Sequence, residues 1–276
     1  GEKTNSSETG LSANCELEIR LPEKGDGARS NVFYSGAGAR NSKLIAFGVT
    51  HSNSPDEKQF EAIEHVFLLQ KPTIAFYEGN RSTIFGDLSD SVLRAGEPGY
   101  LRSLAAREGV AYLSWEIPIE RLHSMLSDEF GGEKAQLYSL LRVVNAVQRR
   151  GNADRVESAV LRRIRQHQEA STEFPINSFQ EFAAAYSRHF PEAPLFHVKD
   201  NWFDPRMSSD EVGSQFINDV ARYASNVRND HLIREVEKAL LKGERVFVLA
   251  GEGHIPPNER AFTCLSDHFE KHRSLQ

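Results

Sequence analysis

Short β-prone apolar runs alternate with stretches of helical periodicity along most of this chain. Asn31 to Tyr34 and Leu44 to Phe47 are two such runs, separated by the turn-rich spacer Ser-Gly-Ala-Gly-Ala-Arg-Asn, and they predict a hairpin. Beyond Gly48, Ser54-Pro55-Asp56-Glu57 predicts a helix start, with Ser54 as N-cap, Pro55 at the first helical position and two acids over the N-terminus. Phe60, Ile63, Phe67 and Leu68 then recur at helical spacing through to Gln70 and give that helix an apolar face for a sheet. Lys71-Pro72 stops it, and Thr73 to Tyr77 reads as a buried strand. Tyr100 to Arg107 predicts a second helix, closed by Gly109 before the strand candidate Val110 to Leu113.

Strand, helix, strand, helix, strand implies a parallel sheet. From Glu120 to about Arg188 the pattern is helical, with Leu137, Leu140, Leu141, Val144 and Val147 in one stripe that reads as core. The arginine-rich stretch Arg155 to Arg165 is interleaved with Val160, Leu161 and Ile164, the pattern of a solvated amphipathic helix. Asn229 to Leu241 is a further helix with Leu232, Val236, Ala239 and Leu240 on one face. Arg245 to Ala250 is the last strand; it runs into Gly251-Glu252-Gly253-His254-Ile255-Pro256-Pro257, and helical spacing resumes from Asn258 to Lys271. The expectation is an α/β fold: a mixed, mainly parallel central sheet with an N-terminal hairpin and a large helical insertion over about residues 120–225. Residues 1–15, polar and poor in apolar side chains, read as a mobile tail, and residues 16–276 as a single domain.

Composition narrows the function. With 33 basic and 39 acidic residues the net charge is -6, so no basic field recruits nucleic acid or anionic lipid. The longest apolar stretches, such as Val246 to Ala250, fall far short of the roughly 20 residues that span a bilayer. The two cysteines, Cys15 and Cys264, are too few for a Cys-based zinc site; they read either as a disulfide formed in an oxidising compartment or as two unrelated thiols.

Two Gly-x-x-His turns, Gly48 to His51 and Gly251 to His254, each follow an apolar strand and precede a helix. Chance predicts fewer than one such match at this composition, so the context carries the weight: open α/β sheets bind ligands beyond the carboxyl ends of their strands. Glycine admits a sharp reversal and close backbone approach, and imidazole is the commonest metal-binding nitrogen. Two more strand ends put carboxylates at the same edge, Glu78 after Tyr77 and Glu116 after Trp115. Taken singly, each histidine reads as a structural imidazole and each glutamate as a solvated loop residue. Repeated four times, the placement predicts a site in which His51 and His254, with one or both of Glu78 and Glu116, hold a divalent metal (Zn, Mn or Co), with a position left for water. Glu61 and His65, four apart on a helix, read as surface pairing or packing. No P-loop lysine, HExxH helix or Gly-x-Ser-x-Gly elbow is present.

Four segments, in this order and spacing, resemble the TraB/PrgY/GumN superfamily, which includes the Tiki proteins. They are Phe47-Gly48-Val49-Thr50-His51; Ile74-Ala75-Phe76-Tyr77-Glu78; Ser114-Trp115-Glu116 with Ile119-Glu120-Arg121-Leu122; and Val227-Arg228-Asn229-Asp230 followed by Val246 to His254. The chain departs from the pattern where Ser114-Trp115 replaces Gly-Leu and Ile255-Pro256-Pro257 replaces Leu-x-Gly. The resemblance implies metal-dependent hydrolysis of a peptide or small-molecule substrate. It implies catalytic or ligand roles for His51, Glu78 and His254, with Glu116 in the place of the family's glutamate and Arg228 as an anion-holding or structural residue. A non-enzymatic binder of a peptide, haem or other small ligand, as in the related haem-uptake and erythromycin-esterase-like proteins, is the alternative use of the same cleft. The polar tail, the possible disulfide and family habit together imply a bacterial protein of the periplasm or the medium.

Overall fold

The computed structural model describes Cys15, residues 31–79, 83–170, 174–194 and 196–273; the expected tail, Cys15 apart, lies outside the described residues. Cys15 is disulfide-bonded to Cys264. The chain forms two compact units, one of Gly1–Glu116 with Asn229–Gln276 and one of Ile117–Arg228.

The first unit is the α/β body. Its elements are β1 (Val32–Tyr34), β2 (Leu44–Val49), α1 (Lys58–Gln70), β3 (Ile74–Tyr77), α2 (Leu88–Arg107) and β4 (Ala111–Ser114), and after the insertion β5 (Val246–Gly251) and α9 (Ile255–Arg273). The sheet order is β1-β2-β5-β3-β4, with the β1/β2 hairpin antiparallel and every other pairing parallel. All six residues of β2 and all six of β5 are buried, because both sheet faces are covered and a strand so placed has no use for alternation. One face carries Leu44, Ala46, Val246 and Val248 against Leu232, Val236, Phe262 and Leu265. The other carries Ile45, Phe47, Phe247 and Leu249 against Phe60, Ile63, Phe67, Leu101 and Leu104.

Several element boundaries differ from the sequence expectation, each for a local reason. α1 starts at Lys58 instead of Pro55, since Glu57 N–H closes a turn on the Ser54 carbonyl and Gln59 bonds both backbone groups of Thr50. Leu68 is exposed, one helical step off the buried line of Ile63, Phe67 and Gln70. Lys71 adopts the left-handed conformation that ends α1. α2 begins twelve positions before Tyr100, at Leu88, with Asp87 accepting from Asp90 N–H, and it is broken at Gly96 (φ 60°, ψ −148°). α9 begins at Ile255, so Pro256 and Pro257 lie in the first turn, where a missing N–H costs nothing.

The second unit holds α3 (Ile119–Phe130), α4 (Gly132–Arg149), α5 (Val156–Ala170), α6 (Phe179–His189) and α7 (Ser209–Val212). α8 (Ile217–Leu241), longer at its N-terminal end than Asn229, runs from this unit into the first. The expected stripe is its core: Leu137, Leu140, Leu141 and Val144 are buried with Val160, Ile164, Phe182 and Tyr186, and Val147 packs at the margin.

Inside that core His167 is held neutral. Gln136 accepts from Ile176 N–H and donates to the Ile176 carbonyl, so its amide nitrogen is the atom that faces His167 Nδ1, at 3.3 Å. Nδ1 must therefore accept, Nε2 carries the hydrogen, and Ser139 Oγ stands 3.2 Å from it. Burial, with Arg163 and His123 nearby, pushes the His167 pKa down to about 3, and burial pushes that of His123 down to about 4. A histidine depressed in the fold contributes stability above its unfolded value of 6.5 and loses it as pH falls through the folded value. Thermal unfolding followed by circular dichroism is expected to shift to lower temperature between pH 6.5 and about 4, at up to about 1.4 kcal/mol per pH unit for each histidine. The shift is expected to shrink in His167→Leu.

Candidate functional site

The carboxyl ends of β2, β5, β3 and β4 lie side by side, with Val49 paired to Gly251 and Tyr77 paired to both Leu249 and Ser114. His51, His254, Glu78 and Glu116 each follow one of these four strand ends, as the turn pattern predicted, and the two Gly-x-x-His strands are immediate neighbours.

The leading glycines do different work. A Cβ on Gly48 would come within 2.8 Å of the Asn31 carbonyl oxygen and 2.9 Å of Ile255 Cγ1, so only glycine lets the β5–α9 turn lie against β2. A Cβ on Gly251 would meet Glu78 Oε2 and His51 Nε2, both at 3.4 Å, so the imidazole and the carboxylate converge on this residue. Gly251 N–H also donates to Glu78 Oε2 at 2.7 Å, fixing the carboxylate. Glu252 ties the turn to β2 by accepting from Asn31 Nδ2 at 2.8 Å and from Thr50 Oγ1 at 3.4 Å.

His254 arrives on the single 3-10 turn Glu252–His254, with Nε2 3.8 Å from Glu78 Oε1. Its tautomer follows from a chain of obligate partners. The His254 carbonyl can only accept, so Asn258 presents its amide nitrogen there, at 2.8 Å. That nitrogen also donates to Asn229 Oδ1 at 3.0 Å, and the same Oδ1 lies 2.7 Å from His254 Nδ1. Nδ1 therefore carries the hydrogen, and in the neutral ring Nε2 turns a lone pair toward Glu78. Asn229 and Asn258 are both fully buried. Trp115, also fully buried, meets the His254 ring edge-on at 5.2 Å and donates from Nε1 to the Leu249 carbonyl. Trp115 is thus a wall of the site.

His51 is 70% exposed at its side chain, with Nδ1 3.4 Å from Glu97 Oε2; Glu97 is 3% exposed. Glu97 also accepts from Ser52 N–H. Nothing in the apolar pattern marks Glu97, Asn229 or Asn258. The one sequence signal for Glu97 is an acid set between Gly96 and Pro98, where a helix break is expected.

Glu116 lies just beyond β4, partly buried, with its N–H donating to Ser114 Oγ. Arg228 is buried on α8 immediately before Asn229 and falls in the second unit. Glu61 and His65 are exposed on α1.

Comparison of the chain with protein-family models, with curated proteins and with solved structures gives no match. The site must speak through its own chemistry.

Among the described residues no three His, Cys, Asp or Glu side chains lie close enough, as they stand, to enclose an ion. The donor set nonetheless fits a transition metal: the His51 imidazole and the Glu78 carboxylate meet at Gly251, and the His254 imidazole faces the same carboxylate. The 3.8 Å from His254 Nε2 to Glu78 Oε1 is close to the ~3.3 Å that bonds of about 2.0–2.1 Å at tetrahedral angles would set. The Asn229 side-chain oxygen behind His254 is an outer acceptor that fixes the ring, the part a second partner plays for a metal-binding histidine.

Gly251→Ala is a test of convergence that spares the fold. Its methyl group would make only van der Waals contact, so the unfolding midpoint is expected within about 4 °C of wild type. Zinc affinity, measured by competition with a chromophoric chelator, is expected to drop; unchanged affinity would show that His51 and Glu78 do not act together.

Proposed function

We propose that this protein is a metal-dependent hydrolase, and that its substrates are peptides. The observation that carries this reading is the Glu78 carboxylate shared by two imidazoles at the carboxyl edge of a parallel sheet: His51 Nε2 and Glu78 Oε2 meet at Gly251, and His254 Nε2 stands 3.8 Å from Glu78 Oε1. The ordered resemblance of four segments to the TraB/PrgY/GumN superfamily supports the choice of peptide bonds. His51, His254 and Glu78 would hold the ion, Zn, Mn or Co. Once bound, such an ion lowers the pKa of water and polarises a carbonyl.

The chain's own groups would do the rest. Gly251 N–H keeps one Glu78 oxygen occupied and aims the other at His254. Asn229 and Asn258 hold the His254 ring so that its basic nitrogen faces the same place. Glu116, just beyond the end of β4 beside β3, is the carboxylate proposed to take a proton from the attacking water, with Glu78 as the alternative acceptor. The Cys15–Cys264 disulfide supports an oxidising setting, periplasmic or secreted.

Metal analysis of the purified protein, followed by turnover of a peptide library by wild type and His254→Ala, is the test. Stoichiometric metal and a loss of more than about 100-fold in kcat/KM on substitution are expected, exceeding the 10–100-fold typical of an outer-partner loss. Metal-free protein that hydrolyses no peptide would overturn the reading. A new absorbance band on adding haem, with no metal-dependent turnover, would replace it with the non-enzymatic binder.

A further inference from the structure

The break in α2 sits where the first Gly-x-x-His loop needs an anchor. At Gly96 the helix leaves α geometry, and a Cβ there would come 3.0 Å from the Ser52 carbonyl oxygen, so the loop backbone lies against the break. The interruption falls four residues after Val92, and Asn53 Nδ2 donates to the Val92 carbonyl at 3.0 Å. Glu97, the first residue of the resumed helix, points a buried carboxylate at the loop: one oxygen accepts from Ser52 N–H and the other lies 3.4 Å from His51 Nδ1. Three successive residues, His51, Ser52 and Asn53, are thus fastened to one helix break.

Position in the resumed helix makes a buried carboxylate tolerable there, since backbone N–H groups at a helix start favour negative charge. The consequence is chemical as well as structural. A carboxylate accepts and cannot donate, so the neutral His51 ring must carry its hydrogen on Nδ1, leaving the lone pair on the Nε2 that faces Gly251. An exposed imidazole without such a partner is free to place its hydrogen on either nitrogen.

We infer that Glu97 is a positioning residue for His51: it sets the tautomer and direction of this exposed ring. The effect on metal affinity rests on the function proposed above, whereas the effect on the tautomer does not.

The experiment is run on the full chain in two arms. Long-range proton–nitrogen correlation spectra of ¹⁵N-labelled protein at alkaline pH, with His51 assigned by its loss in His51→Ala, report which ring nitrogen bears the hydrogen. Wild type is expected in the Nδ1–H form, and Glu97→Gln is expected to shift toward Nε2–H. Zinc affinity by chelator competition is expected to fall about 10–100-fold in Glu97→Gln. In a His51→Ala background the same substitution is expected to change nothing further, which a merely structural role for Glu97 would not produce.

A wild-type His51 in the Nε2–H form overturns the inference even if Glu97→Gln fails to fold. An unchanged tautomer in a folded Glu97→Gln, or an equal zinc loss with and without His51, overturns it as well. A wild type that binds no zinc sinks the metal reading instead, and the tautomer then decides the role of Glu97 by itself.

Discussion

The ladders that β5 makes with β2 on one side and β3 on the other hold this molecule's chemistry together. They pair segments far apart in the chain; Thr50 and Glu252, hydrogen-bonded just past the strand ends, are separated by 202 positions. Register in such a sheet is set by burial on both faces, and a slip of one residue would turn Phe247 and Leu249 to the side now filled by Leu232 and Phe262. The same register aligns Val49 with Gly251 and Tyr77 with Leu249, bringing two imidazoles and a carboxylate to one edge. The core therefore fixes the site, and Trp115 belongs to both.

That edge was legible in the sequence because it follows from runs of apolar residues that end in glycine or acid. β2, β3 and β5 were each visible as short buried strands, and strand–helix alternation implies parallel neighbours with their carboxyl ends together. The neighbour relation of β2 and β5 needed the repeated motif as a further hint, since nothing in periodicity says where a last strand inserts. The class of fold and the hairpin were readable on the same grounds, and so was the buried stripe of α4.

The rest was hidden for physical reasons. The first half of α2 offers a pattern-based reading almost nothing: Ser91 and Val92 are buried there among Ser, Asp and Arg, and Asp87 starts the helix by capping it. α1 looked longer because Ser54 and Pro55 are good helix-start residues, but loop bonds through Ser52, Glu57 and Gln59 claim that stretch. The partners of both histidines are tertiary. Asn229 and Asn258 lie 29 positions apart and meet at His254 only because α8 and α9 cover the same sheet face. Glu97 reaches His51 across 46 positions from a helix break. Imidazole ligands announce themselves by type and spacing, while the groups that orient them can be any acceptor that folding brings near.

The Cys15–Cys264 bond closes a covalent ring around β1 to β5 and α1 to α8, and hence around both histidines and both of their Nδ1 partners. A protease that cuts once between the two cysteines would open this circle without releasing a piece. The nicked product would migrate as one species under non-reducing electrophoresis and fall into two fragments only after thiol treatment.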